Sequence, residues 1–331
     1  MRKEAVLAIL SGAVLLFALS ARAASPIRVM LLDGESDGIW HKWQATTPVL
    51  KKQLDGTGLF QVDVVTAPPA NGDFGNFKPE FGKYQVVVFN YNAPDERWPA
   101  DLKALFERYM TNGGGLVIVH AACVGFPGWQ AFNQMIGVGG WRDRNEKSGP
   151  YWFFKDGRLV SDSSPGNAGS HGARLPYQMK IQNSNHPITK GLPKVFMHHA
   201  DELYAKLRGP GNMTVLATSY SDPSNKGTGN EEPAFMVLSF GKGRIFSSTV
   251  GHDVLALSSV DAVVTFQRGT EWAATGKVTQ KVPTTFPTAE TVSYRADLAA
   301  MDPNYTKGMN PLDAVAGGGG ATKKGGAGVS K

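Results

Sequence analysis

Two histidines and a pair of acids in this sequence follow segments with the composition of β-strands. His120 comes directly after the apolar run 116–119, and His252 comes shortly after a second apolar segment. Asp201 and Glu202 end a third extended segment. A continuous apolar run indicates a strand that is buried on both faces of a sheet. Ligands bind outside the carboxyl ends of such strands, so we expect these four side chains to meet in one crevice.

Two kinds of chemistry are open to this group of side chains. An imidazole titrates near neutral pH, and a neighbouring carboxylate can orient it, so His120, His252 and Glu202 are predicted to be catalytic acid–base residues. Alternatively, the metal-ligand candidates His41, His120 and His252, with a carboxylate, would offer the nitrogen and oxygen atoms that a divalent ion prefers. No HExxH spacing supports a metal, so no cofactor is assigned beyond a possible divalent ion.

Polar and aromatic side chains in the neighbouring loops are predicted to contact a substrate. Sugar rings stack their apolar faces on aromatic rings, and their hydroxyls bind to acids, amides and arginines. The predicted substrate-binding residues are Asp33, His41, Trp43, Asn90, Arg142, Asp201 and Asp253. Structural roles are expected for His198 and His199, because neighbours in an extended segment face opposite ways.

Strands and helices alternate in the first half of the chain, which favours an α/β fold with a parallel, doubly wound sheet. Strands are predicted at 27–32, 61–66, 84–90, 116–119, 175–181 and 215–218, and a hairpin at 234–240 and 244–249. Helices are predicted at 48–54, 98–110, 128–136 and 260–273, and residues 141–172 are predicted to form an irregular loop. The dinucleotide and P-loop glycine patterns are both missing.

The two ends of the chain differ from its body. Residues 1–23 have a basic start, a short apolar region and a small-x-small cleavage signal, which predicts a signal peptide and export to the periplasm or beyond the cell. An uncleaved anchor is the alternative, and no transmembrane segment is expected after cleavage. One domain is predicted at 24–280. Residues 281–331 are predicted to be an extension with a disordered, glycine-rich tail.

Charge and cysteine usage narrow the class of partner. The formal net charge is +6, but part of the excess lies in the signal and the tail, and no basic stripe of the kind that binds nucleic acid is present. A small neutral ligand is therefore expected, and nucleic acid is not. Cys123 is the only cysteine, so an internal disulfide is impossible.

An ordered set of short motifs extends from about residue 27 to residue 274. The motifs are Gly113-Gly114-Gly115 leading to Val119-His120-Ala121-Ala122, the segment 186–193, Asp201-Glu202-Leu203-Tyr204, and 241–244 leading to Gly251-His252-Asp253. With these motifs the chain resembles the ThuA-like (trehalose utilisation) family of the class I glutamine amidotransferase-like superfamily.

The resemblance implies a flavodoxin-like three-layer fold, with a central, mostly parallel sheet and an antiparallel hairpin near the C-terminus. It also implies a role in disaccharide or 3-keto-sugar metabolism, with a carbohydrate ligand and a partner oxidoreductase. The chain departs from the superfamily at its cysteine, because Cys123 follows the strand too late for a nucleophile on the tight turn. Glutamine hydrolysis is therefore not expected. A sugar-modifying, hydrolase or lyase-type enzyme is favoured over a non-catalytic binding protein or a tethered accessory protein.

Overall fold

The computed structural model describes residues 25–36 and 40–302, so the predicted signal peptide and the glycine-rich tail lie outside the described residues. The strands are β1 (Ile27–Asp33), β2 (Phe60–Thr66), β3 (Val86–Phe89), β4 (Gly115–Val119), β5 (Tyr151–Lys155), β6 (Arg158–Asp162), β7 (Leu175–Ile181), β8 (Val195–Asp201), β9 (Thr214–Tyr220), β10 (Glu231–Phe240) and β11 (Gly243–Ser248). The helices are α1 (Trp43–Asp55), α2 (Ala100–Thr111), α3 (Gln130–Ile136), α4 (Val254–Ser258), α5 (Val260–Thr275) and α6 (Ala296–Ala299).

The strands join one mixed sheet in the order β2-β1-β3-β4-β11-β10-β9-β7-β8, and the β5–β6 hairpin attaches to β10. The neighbouring strands in the part β2-β1-β3-β4-β11 of this order pair in parallel. The neighbouring strands in the part β11-β10-β9-β7-β8 pair in an antiparallel way. The sheet is thus less parallel than the sequence predicted, because the strands after β4 follow one another through loops, whereas a parallel pair needs a longer crossover.

The middle of the sheet is fully buried, as its apolar composition predicted. Every residue of β3 and β4 is buried. Two glycines allow β4 to start between the ends of two helices: a Cβ on Gly114 would lie 2.4 Å from the Tyr109 ring, and one on Gly115 would lie 2.7 Å from the Ala273 carbonyl oxygen. These contacts explain why a glycine run precedes the apolar strand.

Helices cover both faces of the sheet. On one face, α2 and α3 pack with Phe89 and Ile118 in one apolar cluster. On the other face, α1 and α5 pack with Leu31 and Val117 in a second cluster. Within the described ranges, none of the helices combines the length and apolar character that crossing a membrane requires.

Helix α1 begins earlier than predicted, at Trp43 rather than at residue 48, and Pro48 lies inside it. The Asn90 side chain donates hydrogen bonds of 2.9 Å to the hydroxyls of Thr46 and Thr47, which ties the first turns of the helix to the end of β3. Tertiary contacts therefore extend the helix beyond the start that its proline suggested.

The predicted loop 141–172 contains the β5–β6 hairpin. Its turn consists of Asp156 and Gly157, which both have positive φ angles of 51° and 73°. An Asp-Gly pair with this backbone is a typical two-residue hairpin turn. The Asp-Gly pair was visible in the sequence, but the hairpin was not predicted because the flanking residues 151–155 do not alternate between polar and apolar.

Residues 281–302 pack against the body, although the sequence placed them beyond the domain. Phe286 lies 5.0 Å from Phe196 of β8 between ring centroids. Leu298 and Ala299 of α6 are fully buried, and the Arg295 amide donates a 2.8 Å hydrogen bond to the Ser258 carbonyl. This segment closes the side of the domain that carries α4.

Candidate metal-binding site

Three histidines and one glutamate converge where β4, β8 and β11 end. One ligand atom from each of His41, His120, Glu202 and His252 lies within 4.8 Å of every other. The imidazole centroids are 5.2 Å apart for His41 and His120, 4.9 Å for His41 and His252, and 5.4 Å for His120 and His252. The sequence predicted one crevice for His120, His252, Asp201 and Glu202 and offered His41 as a further metal-ligand candidate, and the structure brings ligand atoms of His41, His120, Glu202 and His252 together.

His120 is oriented by the main chain. It follows the last residue of β4 with a φ angle of 44°, an uncommon conformation for a residue with a side chain. Its Nδ1 lies 2.6 Å from the Thr249 carbonyl oxygen. Because a carbonyl can only accept, Nδ1 carries the proton and Nε2 keeps its lone pair. The Nε2 atom is buried and has no hydrogen-bond partner.

His252 is held by its backbone, and its ring faces Glu202. The His252 amide donates a 3.2 Å hydrogen bond to the Asp201 carboxylate, which also accepts a 2.7 Å bond from the Gly251 amide. The ring Nδ1 lies 3.1 Å from Glu202 Oε2, the distance of an ion pair. It lacks the alignment of a hydrogen bond. The Glu202 carboxylate therefore lies against the His252 ring as an ion pair.

His41 precedes α1 and reaches the cluster from the opposite side. The Ser36 hydroxyl donates a 2.7 Å hydrogen bond to the His41 carbonyl oxygen. The Tyr204 hydroxyl lies 3.2 Å from the ring Nε2. The ring Nδ1 is buried and has no hydrogen-bond partner. The His41 ring thus contributes a ligand atom to the cluster and has one buried nitrogen without a hydrogen bond.

Burial and mutual repulsion keep two of the imidazoles neutral. Burial, reinforced by the neighbouring histidines, lowers the pKa of His41 to about 2. Burial also lowers the pKa of His120 to about 4, although Asp201 opposes the shift. For His252 burial acts in the same direction, but the Glu202 carboxylate outweighs it and raises the pKa. Neutral imidazoles are the form that binds metal ions.

The arrangement has the donors of a metal centre. A buried polar atom without a hydrogen bond costs about 1–3 kcal/mol, so three such nitrogens in one place call for a common partner. The Nδ1 bond of His120 to a backbone carbonyl is the outer contact that orients a metal-binding histidine. Three imidazole nitrogens and one carboxylate oxygen suit a divalent transition ion.

An open cleft of about 560 Å³ leads from the cluster to the solvent. It is lined by Trp40, His41, Val124, Trp141, Arg142, His171, Glu202, Tyr204 and His252. The Trp141 and Tyr204 ring centroids lie 4.6 Å apart, and the Tyr204 and His120 centroids lie 4.1 Å apart. Aromatic walls thus lead directly to the three histidines.

The predicted substrate-binding residues occupy different places. His41 and Arg142 line the cleft, and Asn90 lines a small cavity beneath the histidines. Trp43 begins α1 and does not line the cleft. Asp33 is buried at the end of β1, where burial raises its pKa and the Thr66 and Thr47 hydroxyls bind it.

The two other predicted acids support the cleft from behind. Asp201 binds the Gly251 and His252 amides, as described above. Asp253 caps α4 through a 2.9 Å hydrogen bond from the Ala256 amide and pairs with Arg174. Their carboxylates are committed to the protein itself.

Sequence reasoning did not single out Tyr204 or His171 for the site, although both line the cleft. Tyr204 lies two residues after Glu202, so it faces the same side of an extended segment, which is a signal that alternation could have provided. His171 lies in the predicted loop 141–172, for which no periodicity was available. Its Nε2 lies 3.7 Å from Glu202 Oε2.

Cys123 is buried beside the cleft wall. Burial raises the pKa of its thiol to about 12. A nucleophilic cysteine needs a lowered pKa, so the thiol stays protonated at neutral pH. The environment of Cys123 agrees with the interpretation of a small buried side chain.

The fold and the site together define an α/β protein with a histidine-rich crevice at the strand ends. The family model described as ThuA, trehalose utilisation, matches residues 28–273, and the chain therefore belongs to the ThuA family. A comparison with curated proteins gives no match.

The solved structures that are similar to the chain include two ThuA-like proteins. A ThuA-like protein from Parabacteroides merdae is 44% identical, with a TM-score of 0.80 over 83% of this chain and 99% of that chain. A ThuA-like protein from Bacteroides uniformis is 19% identical, with a TM-score of 0.54 over 79% of this chain and 96% of that chain, and this likeness concerns the fold alone. The family relation indicates a carbohydrate-related function.

Proposed function

We propose that His41, His120, His252 and Glu202 bind one divalent metal ion, and that this centre acts on a carbohydrate in the cleft. The observation that carries the proposal is the convergence of ligand atoms from three imidazoles and one carboxylate, in residues whose rings each have a buried nitrogen without a hydrogen bond. The strand order β2-β1-β3-β4-β11 supports it as well. It matches the 2-1-3-4-5 order of flavodoxin-like sheets, in which ligands bind at the carboxyl ends of the strands.

The bound ion would act as a Lewis acid on a carbonyl or hydroxyl oxygen of the sugar. A carbonyl oxygen, as in a keto-sugar, is the better target because it develops negative charge when a neighbouring bond breaks or a proton leaves. The ligands would leave most of the ion's positive charge in place, because neutral imidazoles carry no charge and the single carboxylate neutralises only part of it.

The cleft walls are suited to a sugar ring. Trp141, backed by the buried Tyr204, offers an aromatic face for the apolar side of the ring, and Arg142 and His171 offer nitrogen atoms for its hydroxyls. The Arg142 Nε donates a 3.2 Å hydrogen bond to the Asn92 side chain, which fixes the guanidinium at the wall. We propose that these residues orient the ring and that the cluster performs the chemistry.

We further propose that the protein is exported to the periplasm or outside the cell, and that its substrate comes from an oxidoreductase. The composition of residues 1–23 supports export. Oxidation of a sugar hydroxyl would supply the carbonyl that a Lewis acid activates. Export is tested by N-terminal sequencing of the protein from the cell fractions, with a start near residue 24 as the expected result.

The metal content of the purified mature protein tests the metal centre. Elemental analysis should find close to one divalent ion per chain, and the variants His120→Ala and His252→Ala should lose it. His186→Ala is the matched control, since His186 packs on Trp272 and lies outside the cluster. Metal-free wild-type protein that stays empty after titration with Zn²⁺, Mn²⁺, Co²⁺ and Ni²⁺ would contradict the proposal.

Turnover needs a second measurement. The metal-loaded protein is incubated with disaccharides and their 3-keto derivatives, and NMR spectra follow the sugar signals. New product signals that disappear in His120→Ala would support an enzyme. Binding with unchanged sugar over many hours would identify a carbohydrate-binding protein instead.

A further inference from the structure

A further histidine lies behind the cluster, between two buried carboxylates. His198 of β8 is fully buried, and its Nδ1 lies 2.8 Å from Asp261 Oδ2 on α5. Its Nε2 lies 3.2 Å from Asp201 Oδ2 at the end of β8. The side chains of all three residues are completely inaccessible to solvent. This buried line therefore joins α5 to the last residue of β8.

Asp201 connects the line to the cluster. One carboxylate oxygen accepts a 2.7 Å hydrogen bond from the Gly251 amide, and the other accepts bonds of 3.2 Å from the His252 amide and 2.7 Å from the Glu202 amide. The amides of two cluster residues are thus bound by one oxygen atom. A rotation of the Asp201 side chain would displace His252 and Glu202 together.

A carboxylate in this position needs a counter-charge. An ionised carboxylate buried without a partner is strongly disfavoured, and it remains charged inside a protein only when paired and hydrogen-bonded. His198 supplies both requirements, since its second nitrogen is bound by Asp261. Burial opposes a charge on His198, but the two aspartates outweigh it and raise its pKa to about 10. His198 is thus a cation at neutral pH.

We infer that His198 is a positioning residue of the proposed metal centre: as a buried cation it fixes the Asp201 carboxylate, which in turn sets the backbone of Glu202 and His252. The role of His198 in metal binding rests on the proposed function. The effect of His198 on the Gly251–His252 backbone, which acts through Asp201, concerns the protein without metal.

The first test is hydrogen exchange at the Gly251 and His252 amides in metal-free protein. The variant His198→Gln keeps polar atoms in place of the ring but removes the charge. Protection of both amides should fall by about tenfold or more, as expected for losing a hydrogen bond to a charged group. Asp201→Asn should produce the same loss.

His199→Gln is the matched control. His199 is the next residue on the same strand and is also fully buried, but its ring nitrogens have no hydrogen-bond partner. Its replacement should leave the protection of Gly251 and His252 unchanged relative to the rest of the sheet. A loss of the same size in His199→Gln would reduce His198 to a general packing role and overturn the inference.

The second test measures metal affinity with a competing chromophoric chelator. His198→Gln should bind Zn²⁺ about 10–100-fold more weakly than wild type, the usual effect of removing an outer contact of a metal site. The double variant His198→Gln/Asp201→Asn should be no weaker than Asp201→Asn alone, because both changes break one line of contacts. Independent, multiplicative losses would overturn the inference.

The two tests separate this inference from the proposed function. If wild-type protein binds no metal but the amide protection falls as expected, the metal centre is refuted and the positioning role of His198 stands. If wild-type protein binds metal and His198→Gln leaves both protection and affinity unchanged, the positioning role is refuted and the metal centre stands.

Discussion

The histidine cluster and the His198 ring behind it differ in how their ring nitrogens are used. In the cluster of His41, His120 and His252, each ring has a buried nitrogen without a hydrogen bond. The His198 ring is fully buried, and both of its nitrogens are bound to carboxylates. The cluster histidines thus have nitrogen lone pairs that a metal ion could use, whereas both His198 nitrogens are already occupied by contacts within the protein.

His199 sharpens this comparison. Both of its ring nitrogens are buried without a hydrogen bond, as in the cluster. However, it stands beside the Tyr294 ring and is not part of the histidine–glutamate group. An unpartnered nitrogen is therefore insufficient to indicate a ligand, and convergence with other donors is the decisive feature.

The largest expected difference between the two groups concerns metal binding and stability. His252→Ala should abolish stoichiometric metal binding, an effect larger than the ~10–100-fold loss typical of outer contacts. It should change the free energy of unfolding of the metal-free protein by less than about 1 kcal/mol, because the side chain is partly exposed and its Nδ1 makes no hydrogen bond. Isothermal titration with Zn²⁺ and urea unfolding in a chelator measure the two quantities. Retained metal binding would break the distinction.

His198→Ala should show the opposite balance. Removing the cation leaves two fully buried carboxylates without a counter-charge, which should lower the free energy of unfolding of metal-free protein by about 3–5 kcal/mol. Urea unfolding followed by tryptophan fluorescence gives the value. A loss below 1 kcal/mol would mean that the line from Asp261 to Asp201 holds no charge.

The pH dependence of stability should distinguish the groups as well. Asp261 and Asp201 raise the pKa of His198 to about 10 against its ordinary value of 6.5. A raised pKa means that the folded state holds the proton more tightly, so this stabilisation is complete below pH 6.5 and is lost as the pH rises to about 10. Metal-free wild type should lose stability over that range.

The comparison variant for this profile is His198→Gln, which has no proton to release. Its stability should fall less than that of wild type between pH 6.5 and pH 10, as measured by urea unfolding at unit steps of pH. Parallel profiles for the two proteins would show that His198 is neutral in the fold.

The smallest effect is expected at the rim of the cleft. Trp40 is 69% exposed, so Trp40→Ala should leave both metal affinity and the free energy of unfolding unchanged. If its ring stacks on the substrate, KM for the sugar identified by NMR should rise several-fold while kcat stays the same, because the contact is equal in the ground and transition states. An unchanged KM would exclude Trp40 from the binding surface.

The sequence predicted a cluster at the strand ends because His120 follows an apolar run and Glu202 follows a short extended segment, both of which are easy to recognise. The shared edge of the strands indicated that the two residues meet. Asp33 also ends a strand, yet its carboxyl group is bound by Thr47 and Thr66. Strand ends share an edge, but successive side chains point to opposite faces, so position along the chain could not place Asp33.

The support of the cluster could not be predicted, since it depends on contacts between distant segments. Asp261 lies on α5, 63 residues after His198, and no pattern near His198 in the sequence predicts that the two side chains pair. Likewise, the amide bonds from Gly251 and His252 to Asp201 join two loops whose register follows from the whole sheet. Periodicity indicates which elements exist, and their packing decides which polar groups meet.

The bond between His120 and the Thr249 carbonyl has a consequence for how this family can vary. A main-chain acceptor is present whatever side chain occupies the position, so the tautomer of His120 is inherited from the path of the backbone. A substitution of Thr249 that keeps the path of the backbone should therefore leave the available nitrogen of His120 unchanged.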